Sequence, residues 1–226
     1  MPLDTAPSAR KHAHSNSALP VALAPVALAA YYCIGHLDRD VAEFVRQHLY
    51  ASTWWRHTTG SLPDFLAILV VSVTAVSYSL FRRRAYRHGI DGLAVMYKTL
   101  SVVAPASYVV KTALKYAFGR TNTREWLRSP QEYGFHWFSG DVHHSGFPSG
   151  HMLVATALAA TVWRFRPRYR PACLGLLAVL AMAMVATDYH FVSDVIAGTY
   201  AGLVVEAWAC RVTRRKYYTL HKTVER

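Results

Sequence analysis

The chain has 226 residues, of which 53% are hydrophobic and 17% are charged, and its formal net charge is +12. The hydrophobic residues lie in six blocks with charged segments between them, which leaves no room for a sizeable soluble core. A basic protein can bind nucleic acid, but here the Arg and Lys residues cluster in short loops and tails beside the apolar blocks. That pattern argues against a nucleic-acid partner and indicates one membrane domain with short loops.

Six apolar stretches predict six membrane-crossing helices, because each approaches the length of about 20 residues that a bilayer requires. The fourth and fifth stretches only just satisfy this criterion. The stretches cover residues 19–36, 62–81, 92–117, 149–164, 172–189 and 192–210. The predicted fold class is therefore all-α, in the form of an integral membrane six-helix bundle.

The two ends of the chain differ from its apolar centre. Residues 1–18 are rich in Ala, Ser, His and Pro, which predicts a disordered tail. Residues 19–210 form the predicted transmembrane domain, and residues 211–226 a basic cytoplasmic tail. The stretch 19–36 also resembles a signal peptide, since basic residues precede it, but Tyr31–Ile34 extend the run and favour a retained helix.

The basic loops predict the orientation of the bundle. With six crossings, both termini and the clusters Arg82–Arg87 and Arg164–Arg170 fall on one side, which the positive-inside rule assigns to the cytoplasm. These clusters would also attract anionic lipid headgroups. We therefore expect a bacterial inner-membrane protein whose outer loops, residues 37–61 and 120–148, face the periplasm.

The first outer loop contains an amphipathic pattern. Val41, Phe44, Val45 and Leu49 follow helical spacing among charged residues. This predicts a short helix, which would either lie on the outer membrane interface or cap the bundle.

The sequence Pro148-Ser149-Gly150-His151 opens the fourth apolar stretch. Ser is a preferred N-cap residue, so the next backbone N–H groups would point outward from the helix start. Such groups and the helix dipole bind anions, and Gly150 would let an anion approach the backbone closely. His151, in the first turn, could give a proton to a departing oxygen. The alternative is an ordinary capped helix with an interfacial histidine.

His190 and Asp194 are four residues apart at the start of the last crossing, so they share one helix face. Asp194 could accept a hydrogen bond from one ring nitrogen of His190, which leaves the other nitrogen to act as a nucleophile or a base. The alternative is a structural His–Asp pair that closes a helical turn.

Two cations flank the predicted end of the third crossing at Gly119. Lys115 and Arg120 are the kinds of side chain that neutralise phosphate oxygens without a metal. Lys111 shares the helix face of Lys115, but we interpret it as a lysine that snorkels to the interface.

The predicted topology places these three clusters on the outer side of the membrane. In this order they resemble the motifs of the type-2 phosphatidic acid phosphatase superfamily of membrane lipid phosphatases, which is related to the vanadium haloperoxidases. The resemblance covers about residues 90–205 and rests on Lys115–Arg120, Pro148–His151 and His190 followed by Asp194.

The resemblance implies a six-helix bundle with an outward-facing site and no metal or cofactor. It implies that His190 attacks phosphorus to give a phosphohistidine, that Asp194 orients His190, and that His151 protonates the leaving alcohol. The expected phosphate-binding residues are Lys115, Arg120, Ser149 and Gly150. The implied substrate is a lipid phosphate, either a phosphomonoester or a pyrophosphate.

The sequence departs from the family pattern at two positions where arginine is expected. Asn122-Thr123 replaces Arg-Pro at the end of the first motif, and Ala183-Met184 replaces Ser-Arg ahead of the histidine of the third. Arg124, and with it Asn122, could compensate for the lost contacts. A weaker clamp on the phosphate could slow hydrolysis, since a cation at the transition state contributes orders of magnitude to the rate.

Two other functions therefore stay open. The triad without these arginines also resembles the sphingomyelin-synthase branch, which transfers a phospho-headgroup between lipids, and a catalytically inactive lipid-phosphate binder would keep the same residues. A transporter is disfavoured, because the polar groups lie at helix ends. His143, His144 and His151 resemble a metal-binding tract, but no Cys or carboxylate completes the ligand set.

Overall fold

The computed structural model describes the backbone of residues 18–49 and 62–224. The predicted tail at residues 1–17 lies outside this part of the chain. Within it the α-helices are α1 (Ala18–Tyr32), α2 (Asp38–His48), α3 (Leu62–His88), α4 (Gly92–Phe118), α5 (Thr123–Arg128), α6 (Gly150–Phe165), α7 (Arg170–Ala186) and α8 (Val192–Val224). No β-strand occurs among these residues, so the all-α prediction is confirmed.

Five helical segments in the described ranges are long and apolar enough to cross a membrane: Leu19–His48, Phe65–His88, Gly92–Phe118, Pro167–Ala186 and Val192–Arg214. Helix α6, the predicted fourth crossing, has 16 residues and is therefore about 24 Å long. It packs against α4, α7 and α8. Its role as a sixth crossing stays a prediction.

The N-terminal helix continues into the predicted amphipathic helix. A π-helical turn, Cys33–Leu37, joins α1 to α2, and together they form the membrane-length segment Leu19–His48 of 30 residues. Its length of about 45 Å exceeds the hydrocarbon thickness of about 30 Å. Helix α2 confirms the predicted short helix. Of the predicted apolar face it buries Val45 but exposes Phe44 and Leu49, and Ala42 is buried instead.

Helices α3 and α8 extend beyond the predicted apolar stretches. Helix α3 runs through the arginine cluster to His88, and α8 runs to Val224. Arg and Lys are good helix formers, and no Gly or Pro follows Gly202. Residue 210 is therefore not a helix end, and the division of the chain into a domain and two tails stays a prediction.

Two glycines allow α8 to lie directly against α6. A Cβ atom on Gly198 would lie 2.5 Å from the Ser149 carbonyl oxygen, and one on Gly202 would lie 2.5 Å from that of Leu153. Glycines four residues apart often permit such close approach of membrane helices. The two helices run in the same direction, which brings the start of α8 next to the start of α6.

Candidate active site

Three segments distant in sequence meet at one end of the bundle: the end of α4, the start of α6 and the turn before α8. The Ser149 N–H donates a hydrogen bond to the Asp194 carbonyl at 3.0 Å, and the Arg120 guanidinium donates to the Asp194 carboxylate at 2.6 Å. The Lys115 ammonium donates to the backbone carbonyl of Ser145, just ahead of α6. The three clusters that the sequence singled out therefore lie together.

The start of α6 has the predicted N-cap. Ser149 Oγ accepts a hydrogen bond from the Met152 N–H at 3.4 Å, and Gly150 is the first helical residue. A Cβ atom on Gly150 would lie 2.7 Å from Cδ of Lys111. The aliphatic stem of Lys111 therefore lies across the helix start, in space that a side chain at position 150 would occupy.

Lys111 is a residue whose place the sequence analysis missed. Its Nζ atom lies 4.0 Å from the centroid of the Tyr108 ring, a cation–π contact. The helical spacing from Lys115 was the signal that could have identified it, but a lysine near a helix end is also typical of snorkelling. Contact with Gly150 places two lysines, rather than one, beside the predicted anion site.

His190 lies in the turn before α8 and is only 3% exposed. Its Nδ1 atom is 3.5 Å from Oδ2 of Asp194, and the same oxygen accepts a hydrogen bond from the Phe191 N–H at 3.0 Å. Burial lowers the pKa of His190, although Asp194 acts in the opposite direction. The lowered pKa favours the neutral imidazole. Both ring nitrogens, Nδ1 and Nε2, are buried, and neither forms a hydrogen bond in the described part of the chain. Asp194 therefore lies next to Nδ1 without the hydrogen bond that the sequence predicted.

Tyr189 links the two predicted catalytic histidines. Its ring contacts His151 edge-on with 5.6 Å between centroids, and contacts His190 in the same manner at 5.2 Å. His151 is partly exposed, whereas His190 is buried. The two imidazoles thus flank one aromatic ring and differ in their access to solvent.

Arg120 has different partners from those expected. Its side chain is 1% exposed, and its Nη1 donates to Ser193 Oγ and to Asp194, each at 2.6 Å. Its Nη2 donates to Asp38 at 2.8 Å and to the Tyr133 hydroxyl at 3.0 Å. The phosphate-binding role of Arg120 stays a prediction, and its contacts favour a role in holding carboxylates.

The two residues proposed as compensating groups lie in different places. The Asn122 side-chain amide donates to the Val142 carbonyl at 2.7 Å, so it holds the outer loop. The Arg124 guanidinium donates to the Thr187 carbonyl at 3.2 Å and lies 5.0 Å from the Tyr189 ring centroid. Arg124 therefore contacts the turn that carries His190, whereas Asn122 does not.

Asp188, in that turn, was not singled out by sequence. It is 3% exposed and adopts a left-handed backbone conformation with φ of 48°. Burial raises its pKa to about 7, although Arg124 and Arg46 act in the opposite direction. No local sequence pattern marks a buried carboxyl group here.

The histidines of the outer loop have partners other than a metal ligand set. His143 Nδ1 is 3.1 Å from the Glu125 carboxylate, and the His136 and His144 rings stack with 3.8 Å between centroids. Among the residues that the structure describes, no three His, Cys, Asp or Glu side chains converge in a way that could hold a metal ion.

The family model of the PAP2 superfamily matches residues 96–218, which is more than half of the chain and contains all three clusters. The chain belongs to the PAP2 superfamily. The resemblance to the type-2 phosphatidic acid phosphatases is thereby confirmed. No solved structure matches this PAP2 protein.

Two relatives share the region of the site. A lipid A 1-phosphatase of Rhizobium etli is 35% identical over 99 residues, which cover 42% of this chain and 41% of the relative. A lipid A 1-phosphatase of Rhizobium johnstonii is 34% identical over 110 residues, which cover 47% of this chain and 42% of the relative. The matched segment thus spans about two fifths of each relative.

Proposed function

We propose that this PAP2 protein is a membrane lipid phosphate phosphatase that works through a phosphohistidine intermediate and needs no metal. The observation that carries the proposal is the position of His190. This buried imidazole lies against the Asp194 carboxylate and contacts the same tyrosine ring as His151, which lies in the first turn of α6. A neutral imidazole held by a carboxylate is a suitable nucleophile for phosphorus.

The first chemical step transfers the phosphoryl group to the protein. Nε2 of His190 forms a bond to phosphorus while the bond between phosphorus and the lipid oxygen breaks. Asp194 keeps the proton on Nδ1 and stabilises the positive charge that the ring acquires. His151 donates a proton to the departing oxygen, so the lipid leaves as a neutral alcohol.

The second step hydrolyses the phosphohistidine and regenerates the free His190 side chain. A water molecule attacks phosphorus, His151 now accepts a proton from it, and the bond between phosphorus and Nε2 breaks to release inorganic phosphate. We propose that Lys115, together with Lys111, holds the phosphate oxygens beside the N–H groups at the start of α6. Ser149 and Gly150 shape this helix start.

The substrate that we propose is a lipid with a terminal phosphate. The two relatives are named lipid A 1-phosphatases, which makes a phosphorylated glycolipid the first substrate to test. Phosphatidic acid, phosphatidylglycerol phosphate, polyprenyl pyrophosphates and sphingoid phosphates complete the panel.

We also propose the arrangement of the protein in the membrane. Helix α6 would serve as a sixth crossing inside the protein, where α4, α7 and α8 surround it. The site would then face the periplasm, and the basic ends of α3 and α8 would face the cytoplasm, in accord with the positive-inside rule. Residues 19–210 would form the catalytic domain.

The test is release of inorganic phosphate from this panel by purified protein in lipid vesicles. His190→Ala should abolish release, while His88→Ala, an exposed histidine at the end of α3, should not change it. Release by His190→Ala at the wild-type rate would refute the nucleophile, and loss of wild-type activity in EDTA would refute the metal-free mechanism.

The same assay distinguishes hydrolysis from headgroup transfer. A phosphatase releases phosphate with water as the only acceptor, whereas a transferase of the sphingomyelin-synthase type requires a second lipid alcohol. The hydrolase assignment is wrong if no inorganic phosphate is released and a new phospholipid forms only when an acceptor lipid is added. The His190 chemistry would then serve transfer.

A further inference from the structure

Asp38, at the start of α2, connects the N-terminal helix to the candidate site. It lies outside the segment 96–218 that the family model matches, and no sequence pattern marked it. Its side chain is fully buried, although Asp is rarely buried without partners. A carboxylate at this position therefore needs specific contacts, and the structure provides three.

All three contacts lead to the residues that hold His190. Asp38 Oδ1 accepts a hydrogen bond from the Ser193 N–H at 3.0 Å, and Oδ2 accepts from the Ser193 hydroxyl and from Arg120 Nη2. The other end of the same guanidinium donates to Asp194 Oδ1. Arg120 is thus shared between two carboxylates, and Asp38 fixes both Arg120 and the residue that precedes Asp194.

The guanidinium that Asp38 and Asp194 share sets the net charge of the cluster next to His190. Asp38, Arg120 and Asp194 together carry a net charge of −1, all within side chains that are at most 1% exposed. Without Asp38, Arg120 would balance Asp194, and the cluster would be neutral. Charges interact strongly where water is excluded, so the second carboxylate leaves Asp194 with a negative potential towards His190.

We infer that Asp38 is a positioning residue that holds Arg120 and Ser193 and offsets the positive charge that Arg120 brings to Asp194, so that His190 is oriented and its developing positive charge is stabilised during phosphoryl transfer. The catalytic consequence of this inference rests on the proposed function. The effect of the Asp38 charge on His190 does not, because it can be measured without a substrate.

Other charged groups near His190 act on it in known directions. Lys115 opposes protonation of the imidazole, whereas Asp194 favours it. His151 lies across Tyr189, and Asp188 and Arg124 lie at the same turn. The hydrogen bonds of Asp38 in the described part of the chain go to Arg120 and Ser193 rather than to these groups, so a comparison of variants that keep them isolates the contribution of Asp38.

The test compares Asp38→Asn with Asp40→Asn, which removes an exposed carboxylate from the same helical turn. Loss of the Asp38 charge should lower kcat by about 10–100-fold with little change in KM. Because the cluster that contains Asp194 loses one negative charge, the acidic limb of the pH profile should move to lower pH by about 0.5–1 unit. Asp40→Asn should change neither quantity.

A measurement without substrate separates this inference from the proposed function. The NMR signal of the His190 ring can be identified because it is missing in His190→Ala. In Asp38→Asn its titration should move to lower pH by the same amount as the acidic limb of the pH profile. If no lipid phosphate is hydrolysed but the titration moves, the proposed function fails and the charge assignment stands. If activity and melting temperature fall while neither the titration nor the pH limb moves, Asp38 is only structural and the inference is wrong.

A charge-balanced variant decides the question if Asp38→Asn does not fold. Asp38→Asn combined with Arg120→Gln removes one charge of each sign and leaves Asp194 with its own. The His190 titration should then return to within about 0.3 unit of the wild type. A titration displaced as far as that expected for Asp38→Asn would overturn the inference.

Discussion

His151 and His190 occupy different environments, and this difference assigns their proposed roles. His190 is buried against a carboxylate, whereas His151 is partly exposed in the first turn of α6. A group that exchanges protons with a leaving alcohol and with water must reach both, so His151 suits the acid and base steps and His190 suits the covalent step.

His151→Ala should slow hydrolysis of a lipid phosphate by about 10²–10⁴-fold, because the departing oxygen then leaves without a proton. The loss should be much smaller with p-nitrophenyl phosphate, whose phenolate leaves readily without one. Steady-state rates with the two substrates check this expectation. An equal loss with both would mean that His151 serves another purpose.

Asp188 should make the stability of the protein depend on pH. Its pKa is raised to about 7 by burial, so the folded state retains a proton that the unfolded state loses near pH 4. The stability that this carboxyl group contributes is fully present below about pH 4 and is lost as the pH rises towards 7. A charged, buried Asp188 therefore costs stability at neutral and alkaline pH.

Asp188→Asn should remove this cost, since Asn is uncharged and tolerates the left-handed conformation. We expect the variant to be more stable than the wild type by about 1–2 kcal/mol at pH 8 and equally stable near pH 4. Melting temperatures at both pH values provide the measurement. A constant difference across this range would contradict the raised pKa.

At the level of the helices, the contact between α6 and α8 positions the site. Gly198 lies against the Ser149 carbonyl, so the N-cap of α6 and the His190–Asp194 pair are held at a separation that only glycine at position 198 permits. In a membrane the hydrophobic effect does not drive helices together, so close packing at small residues provides the association instead.

Gly198→Ala should force the two helix starts apart, because the new Cβ would meet backbone atoms rather than a flexible side chain. We expect a loss of about 1–3 kcal/mol in stability and of about 10–100-fold in activity. Gly175→Ala is the matched control, since a Cβ there meets no atom within 4 Å. Helix propensity alone would make both variants more stable, so a stable, active Gly198→Ala protein would contradict the role of the crossing.

At the level of the whole molecule, the number of crossings decides which face carries the site. Five segments of the described chain are long enough to span the membrane, and the proposed sixth crossing, α6, is a shorter helix that packs against three of their helices. A short helix can complete the topology because its protein neighbours, rather than lipid, surround much of its backbone.

Cysteines introduced one at a time should report this topology, because the three native cysteines, Cys33, Cys173 and Cys210, are buried. In spheroplasts, a membrane-impermeant maleimide should label Gly140→Cys in the outer loop, and should label Arg168→Cys in the basic loop only after permeabilisation. Both positions are exposed, so access to the reagent decides the result. Labelling of both cysteines from outside would contradict the crossing of α6.

Much of the architecture could be predicted because it depends on local properties of the chain. His190 lies beside Asp194 as predicted, but it precedes α8, so the two do not share a helix face. The apolar blocks predicted the helices, and Gly119 and Ser149 marked a helix end and a helix start. These features follow from backbone geometry and side-chain periodicity over a few residues. The family motifs could be recognised for the same reason, since each is a short local pattern.

The partners of the charged residues, in contrast, were decided by the tertiary structure. Arg120 binds Asp38 across 82 residues of sequence, and Lys111 lies on Gly150 because α4 packs against the start of α6. A buried charge takes whichever opposite charge or hydrogen-bond partner the packed helices bring near it. The sequence by itself determined which groups are available for chemistry, and only the packing of the helices determined which of them bind one another.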